Sequence, residues 1–338
     1  MGARARTHEG VFCPAPATIA NWLIWRDGHE RSRAWPLLPQ AGQGGAEGGG
    51  AAHHQPARQN PPMTPRFHTD QALAPGAELA LPDNAARHVQ VLRLQPGAAI
   101  TLFNGLGGEW QAQIVAMGRK AVTVRLLAHQ PSECELAWPV TLAVGMPANE
   151  RMDGLVEKAT ELGVAQIQPL VCERSVLRLA GERAERKAAH WQAVAAAACE
   201  QSGRNRLPAV AAPVLLRDWL AALPAPARLA TPPTLSTLPN PQGLNTLATP
   251  APQRLLLSLA PGAAPLAASL AGLGRPGLRA TITVLSGPEG GFSPAELALA
   301  QAAGFCPVSL GPRVLRADTA PLAALAAIAC WAALETAP

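Results

Sequence analysis

Two glycine-bearing segments late in the chain bring together the residue types best suited to chemistry. The first reads Ser286-Gly287-Pro288-Glu289-Gly290-Gly291-Phe292-Ser293, and the second Leu310-Gly311-Pro312-Arg313-Val314-Leu315-Arg316-Ala317-Asp318-Thr319-Ala320. Glycine at 287, 290 and 291 gives the backbone a freedom, and a closeness to a ligand, that a Cβ would block. Glu289 adds one acceptor among main-chain donors, and Arg313 and Arg316 lie in the second segment. The pattern is neither G-x-G-x-x-G nor G-x-x-x-x-G-K-[ST], so a dinucleotide site or a phosphate-cradling P-loop lacks its fingerprint. Taken alone, the first segment also reads as a Gly-Pro turn ahead of a helix, with Ser293 as N-cap and Glu296 at N3 of a capping box. Beside the second segment it reads better as one wall of a ligand site.

Both segments must be positioned by the elements around them. Each follows a short apolar, strand-like run, 281–285 and 307–310, and each leads into a helical pattern, from about 294 and about 319. Loops of this kind leave one edge of an open α/β sheet, which is where such sheets bind ligands. Further back, a buried strand at 140–144 follows Trp138. The next helix carries Met152, Leu155, Val156, Ala159 and Leu162 on one face and ends at Gly163. A strand at 164–171, a helix at 184–201 and a strand at 255–259 continue the alternation, interrupted by a Pro/Thr/Ala-rich insertion at 223–253. Strands alternating with helices predict a parallel α/β sheet for 138–338. Residues 63–130 read differently, as short strands at 77–81, 98–103, 109–116 and 121–127 with one helix at 84–94 and tight turns at Asn104-Gly105 and Gly107-Gly108. That pattern is a small β-domain.

At 338 residues the chain is long enough for two domains with cores of their own, and its formal charge is only +5. Residues 1–62 hold six Arg against four acids, leaving 22 basic and 19 acidic groups elsewhere. A nucleic-acid surface must therefore come from the placement of charge and not from its excess. The six cysteines, at 13, 134, 172, 199, 306 and 330, form no C-x-x-C pair and no metal-ligand spacing with histidine. They read as reduced thiols of a cytosolic protein without a metal site. No apolar run approaches a membrane span. Residues 1–62, rich in Gly, Ala, Pro and Arg, cannot bury enough apolar surface to order themselves, so they are expected to be a disordered arm or to precede the true start at Met63.

The two late loops resemble the signature loops of the ribosomal RNA small subunit methyltransferase E family, within the SPOUT, or trefoil-knotted, methyltransferases. Other stretches agree in order: Met63-Thr64-Pro65-Arg66-Phe67, Arg87-His88-Val89-Gln90-Val91-Leu92-Arg93, Lys158-Ala159-Thr160-Glu161-Leu162-Gly163, Glu173-Arg174-Ser175 and Glu200-Gln201-Ser202-Gly203-Arg204. The likeness runs from about residue 63 to the end. It implies an α/β fold with a trefoil-knotted methyltransferase domain and parallel sheet, preceded by a small PUA-like, RNA-binding β-barrel.

The resemblance also implies S-adenosylmethionine as cofactor, held by Leu285, Gly287, Glu289, Gly290 and Gly291 on one side and Leu310, Gly311, Leu315 and Arg316 on the other. A β-branched side chain at Gly290 is then expected to block the cofactor. The implied reaction is methylation of a uridine at N3 in 16S ribosomal RNA of the small ribosomal subunit. Arg316 leads as the group stabilising the uracil anion, with Arg204 and Glu289 as further catalytic candidates, and Arg66, His88, Arg93 and Arg313 as RNA contacts. Phe67, Phe103 and Trp110 could stack on nucleotides but better fill the small barrel. A homodimer is implied, and the apolar helix after Thr319 suits burial in it. Asp318 replaces the family's usual glutamate one methylene shorter, keeping a helix-capping role, and Asn149 stands where many relatives carry lysine. Two alternatives remain: the same fold acting on another rRNA or tRNA position, and a non-catalytic RNA-binding assembly protein, which would predict a damaged cofactor loop.

Overall fold

The computed structural model of the chain describes residues 64–119, 121–148, 151–225, 252–271 and 281–336, all within the second of two compact units, Pro61–Pro338. The 1–62 extension, Met63, Asn149 and most of the 223–253 insertion lie outside the described residues.

Alternating burial builds the first sheet. Its elements are β1 (Arg66–His68), β2 (Glu78–Ala80), the helix α1 (Asp83–Val91), β3 (Ala99–Phe103), β4 (Glu109–Met117) and β5 (Val122–Gln130), ordered β1-β3-β4-β5-β2. Along β5, Val122, Val124 and Leu126 point inward while Arg125 faces out. These residues, with Phe67, Ile100, Leu102 and Ile114 and the Ala85, Ala86 and Val89 face of α1, enclose one apolar core. Phe67 and Phe103 are fully buried and Trp110 packs against the core, so the aromatics fill the interior as expected. The β1 strand, only three residues long, shows no period in the sequence. It pairs parallel with β3, whereas the other ladders are antiparallel. Helix α1 stops at Val91, short of the expected 94, because Arg93 adopts φ +53°.

The second sheet is parallel in every ladder among the described residues. In chain order its elements are β6 (Val140–Gly145), α2 (Arg151–Glu161), β7 (Gln166–Val171), α3 (Glu182–Ser202), β8 (Ala209–Val210), β9 (Val214–Leu215), α4 (Leu216–Ala222), β10 (Gln253–Leu257), β11 (Ala264–Pro265), α5 (Leu266–Ala271), β12 (Ile282–Ser286), α6 (Pro294–Ala302), β13 (Cys306–Ser309) and α7 (Thr319–Thr336). The strand order is β11-β13-β10-β12-β6-β7-β8, with β9 beside β7. Both faces are covered, as a parallel sheet requires. Leu142, Ile282 and Val284 pack with Met152, Leu155, Trp191, Leu325 and Ile328 on one face, and Ala143, Leu285 and Leu256 pack with Leu216, Leu220 and Ala300 on the other. Helices α2, α3 and α7 therefore lie on one side, α4 and α6 on the other.

The stretch after α3 joins the two sheets. Gly203 ends α3 in the left-handed region at φ +81°. Arg204, 3% exposed, ion-pairs with Glu135 and donates from Nη1 to the carbonyl of Thr160 near the end of α2 at 2.9 Å. Asn205 Oδ1 accepts from Arg66 Nη2 at 2.7 Å, and its Nδ2 donates to Ser132 O at 2.7 Å. Arg66 also pairs with Glu109 and lies over the ring of Phe103. Glu200 Oε1 accepts the backbone N–H of His68 at 2.8 Å. Leu207 N–H donates to Gly105 O and Gly107 N–H to Asn205 O, both at 3.1 Å, so the β3–β4 turn is pinned to the same stretch.

Candidate active site

All strands of the second sheet run in one direction, so the loops after β6, β7, β10, β12 and β13 leave the same edge. The β12 loop is held from several sides. Ser293 caps α6, accepting the Glu296 N–H while Glu296 accepts the Ser293 N–H at 2.8 Å; the capping box read from the sequence is present. Glu296 is buried, and its second oxygen accepts the backbone N–H of Glu173 after β7 at 2.8 Å. Arg174 reaches back to the carbonyl of Gly290 at 3.2 Å. Beneath the loop, Gly145 at the end of β6 lets the backbone of Pro288 approach: a Cβ at 145 would stand 2.6 Å from Pro288 N. Glu289 Oε1 accepts from Ala148 N–H at 3.1 Å and from Arg151 at 3.2 Å, tying this loop to the start of α2.

Three loops enclose a pocket of about 690 Å³, a size suited to a nucleoside-like ligand. The β12 loop contributes Gly287, Glu289, Gly291 and Phe292; the β13 loop contributes Leu310, Gly311, Arg313, Val314, Leu315 and Arg316; the β10 loop contributes Leu257, Ser258, Leu259 and Ala260. Gly291 and Gly311 have φ of +67° and +103°, conformations that suit glycine. Apolar walls with main-chain groups between them match an adenine and its sugar. Arg151 is engaged by Glu289, whereas neither Arg313 nor Arg316 forms an ion pair among the described residues.

Most residues picked from the sequence come together here, and some do not. Leu285 is fully buried, packs in the core on the α4 and α6 side of the sheet, and does not line the pocket. Gly290 does not line the pocket; a Cβ there would meet Arg174 Cβ at 2.9 Å, so a larger side chain would push on the brace and not fill the cofactor space. Arg204 stands outside the pocket, engaged by Glu135 and the end of α2. Arg66, with its side chain 10% exposed, is likewise taken up by Glu109 and Asn205 at the joint between the sheets. His88 and Arg93 are exposed at the end of α1, where His88 stands edge-on to Phe67. Among the described residues Asp318, which precedes α7, makes no capping hydrogen bond and its buried Oδ1 has no partner; the shorter side chain does not do the capping expected of it.

Two features escaped the sequence reading. Arg151 lines the pocket, and the β10 loop forms its third wall. Residues 255–259 read as one strand, yet the strand ends at Leu257, and the Pro261-Gly262 turn just beyond was the available signal. Burial and the nearby Glu296 charge push the Cys172 thiol up to about 12, and burial pushes Cys199 to about 12 as well, so neither is a nucleophile near neutral pH.

A family model described as an RNA methyltransferase domain matches residues 134–329, and one described as an RNA methyltransferase PUA domain matches residues 81–127. Fold and pocket thus define the class, an RNA methyltransferase carrying a PUA domain ahead of its α/β domain. A ribosomal RNA small subunit methyltransferase E of Synechocystis sp. is 36% identical over 71% of this chain and 68% of its own length, and that of Bacillus subtilis is 26% identical over 77% and 93%. The chain belongs to the ribosomal RNA small subunit methyltransferase E family. Among solved structures, the family's enzyme from Neisseria gonorrhoeae bound to S-adenosylmethionine superposes with a TM-score of 0.64 at 32% identity, covering 78% of this chain and 96% of that one. A methyltransferase from Legionella pneumophila in complex with the same cofactor gives 0.65 at 31% identity, with the same coverage.

Proposed function

We propose that this chain is an S-adenosylmethionine-dependent methyltransferase that modifies N3 of a uridine in the 16S RNA of the small ribosomal subunit. The observation that carries this reading is the pocket itself: three loops at one sheet edge, glycine where the main chain must approach a ligand, and the Arg316 guanidinium on its wall with no acidic partner among the described residues. When bound, the cofactor supplies an electrophilic methyl on a sulfonium. The backbones of Gly287, Gly291 and Gly311 would hold its adenosine, with Leu257, Leu310, Leu315 and Phe292 keeping water from the slot.

Uridine N3 bears a proton and is a poor nucleophile until that proton leaves and the charge spreads to the flanking carbonyl oxygens. Arg316, exposed at the pocket, would stabilise that charge. Glu289, tied to Ala148 and Arg151, orders the loop instead of taking the proton, which leaves to solvent. Residues 63–130 would bind RNA through the exposed His88 and Arg93, those from 138 to 338 would form the methyltransferase domain, and Arg313 on the pocket wall would meet the phosphates beside the target. Helix α7 buries Leu325 and Ile328 yet leaves Ala327, Cys330 and Leu334 exposed, which supports pairing with a second copy.

The test is to incubate the purified chain and S-adenosylmethionine with unmethylated small subunits, digest the RNA and look for 3-methyluridine by nucleoside mass spectrometry. Its appearance is the expected result. A different methylated nucleoside would refute the N3 assignment and keep the enzyme class.

A further inference from the structure

Helix α3 is much longer than its neighbour α2, and the contacts between them show where the excess lies. Asp153, in the first turn of α2, accepts hydrogen bonds from His190 at 2.8 Å and Trp191 at 2.9 Å, both half-way along α3; Thr160 near the end of α2 meets Arg204 just past the end of α3. The two helices run the same way, so residues 182–187 project past the start of α2 by about 9 Å. Both helices begin at the sheet edge from which the pocket loops leave. The projection therefore stands on the pocket's side of the molecule.

Charge is sorted on this projection. At about 100° per residue, Arg183, Arg186, Lys187 and His190 fall on one flank, spaced i, i+3, i+4 and i+7. Glu185 falls on the other, Glu182 borders the basic flank one turn before Arg186, and the buried Ala184 and Trp191 lie beyond Lys187. All four basic residues are exposed, and Arg183 and Arg186 form no ion pair among the described residues. The basic flank is the one that touches Asp153, two residues after Arg151, which lines the pocket. A row of cations thus leads along α3 to the pocket wall.

We propose that the basic flank of α3, Arg183, Arg186 and Lys187, docks the sugar-phosphate backbone of the substrate RNA on its way to the pocket. The proposal rests on the reading of the chain as an RNA methyltransferase. Arg183 and Arg186, exposed without an ion pair among the described residues, and the exposed Lys187 beside them suit a polyanion, and placement makes up for the modest net charge. The flank fixes position and carries no base specificity.

The test compares the full chain with the triple variant R183Q/R186Q/K187Q. Affinity for unmethylated small-subunit RNA is expected to fall roughly ten- to a hundredfold, with a salt dependence shallower by about two counterions, while S-adenosylmethionine affinity and kcat stay unchanged and KM rises. Wild-type RNA affinity and salt slope in a variant that still binds the cofactor would overturn the proposal. So would loss of binding to intact subunits with naked RNA binding intact, since the flank would then meet a ribosomal protein. The variant E185Q on the other flank should change little; an affinity gain comparable to the triple's loss per charge would mean that bulk charge, not this flank, is felt. On the unaltered chain, RNA should protect Lys187 from acetylation severalfold while leaving Lys158, which pairs with Glu157 and Glu161 on α2, unchanged; equal labelling of Lys187 with and without RNA would also refute the assignment. If the wild-type chain neither binds nor methylates the RNA, the proposed function itself fails, an outcome separable from all of these.

Discussion

Arginines with the same formal charge have very different freedom in this chain. Arg204 and Arg66 are locked in ion pairs at the joint, and Arg151 is held by Glu289, while Arg316 faces the pocket unpaired among the described residues. Replacing Arg316 by alanine is expected to cost about a hundredfold or more in turnover, with cofactor affinity nearly unchanged; titration calorimetry beside single-turnover rates separates the two, and full activity would dismiss Arg316 from the chemistry. Glu200 offers a pH test. Burial raises its pKa above 4.5, although the His68 N–H and neighbouring positive groups pull the other way. Its native state takes up a proton more readily than its unfolded state, so the stability linked to it is complete below 4.5 and is lost as pH rises through the folded value. Glu200→Gln keeps an oxygen for the His68 N–H and should melt above wild type at neutral pH, the gap closing as pH approaches 4.5; a gap that stays constant with pH would contradict the burial argument. Residue types were legible at these positions and their directions were not. The Glu-Gln-Ser-Gly-Arg run marked Arg204 as a candidate, but only the fold reveals that its guanidinium turns toward Glu135 and the end of α2.

At the scale of elements, hydrophobic period did most of the work. The buried face of α2, the alternation in β4 and β5 and the capped start of α6 were all readable because each repeats over many residues or rests on paired local signals. The short strands β1, β8, β9 and β11 were not readable, since a period needs length to show, whereas three-residue β2 lies inside the run read at 77–81. The crossing of β6 beneath the β12 loop was hidden as well, because Gly145 and Pro288 are far apart in the chain. Gly145→Ala places a methyl against Pro288 backbone and is expected to cost about 1–3 kcal/mol by overpacking, and to weaken cofactor binding at least tenfold by displacing the loop. Thermal melting and calorimetric titration check this; wild-type cofactor affinity in the folded variant would mean that the loop tolerates the shift.

For the whole molecule, the joint between the sheets decides whether the small β-domain and the pocket hold a fixed relation. Arg204 is its most buried charge, linking Glu135 in the connecting stretch to the end of α2. Arg204→Ala would leave Glu135 without its partner and is expected to cost about 3–5 kcal/mol, lowering the melting temperature by several degrees while S-adenosylmethionine binding at low temperature survives. Loss of cofactor binding in the cold, in folded protein, would instead return Arg204 to the site. The edges of the sheets have a consequence of another kind. The parallel sheet ends on the two-residue strands β11 and β8, Pro265 has no N–H to offer, and the His68 N–H at the edge strand β1 of the other sheet is already taken by Glu200. A foreign strand arriving at any of these edges finds little to template on, so heating should bring loss of the fold before it brings growth of fibrils.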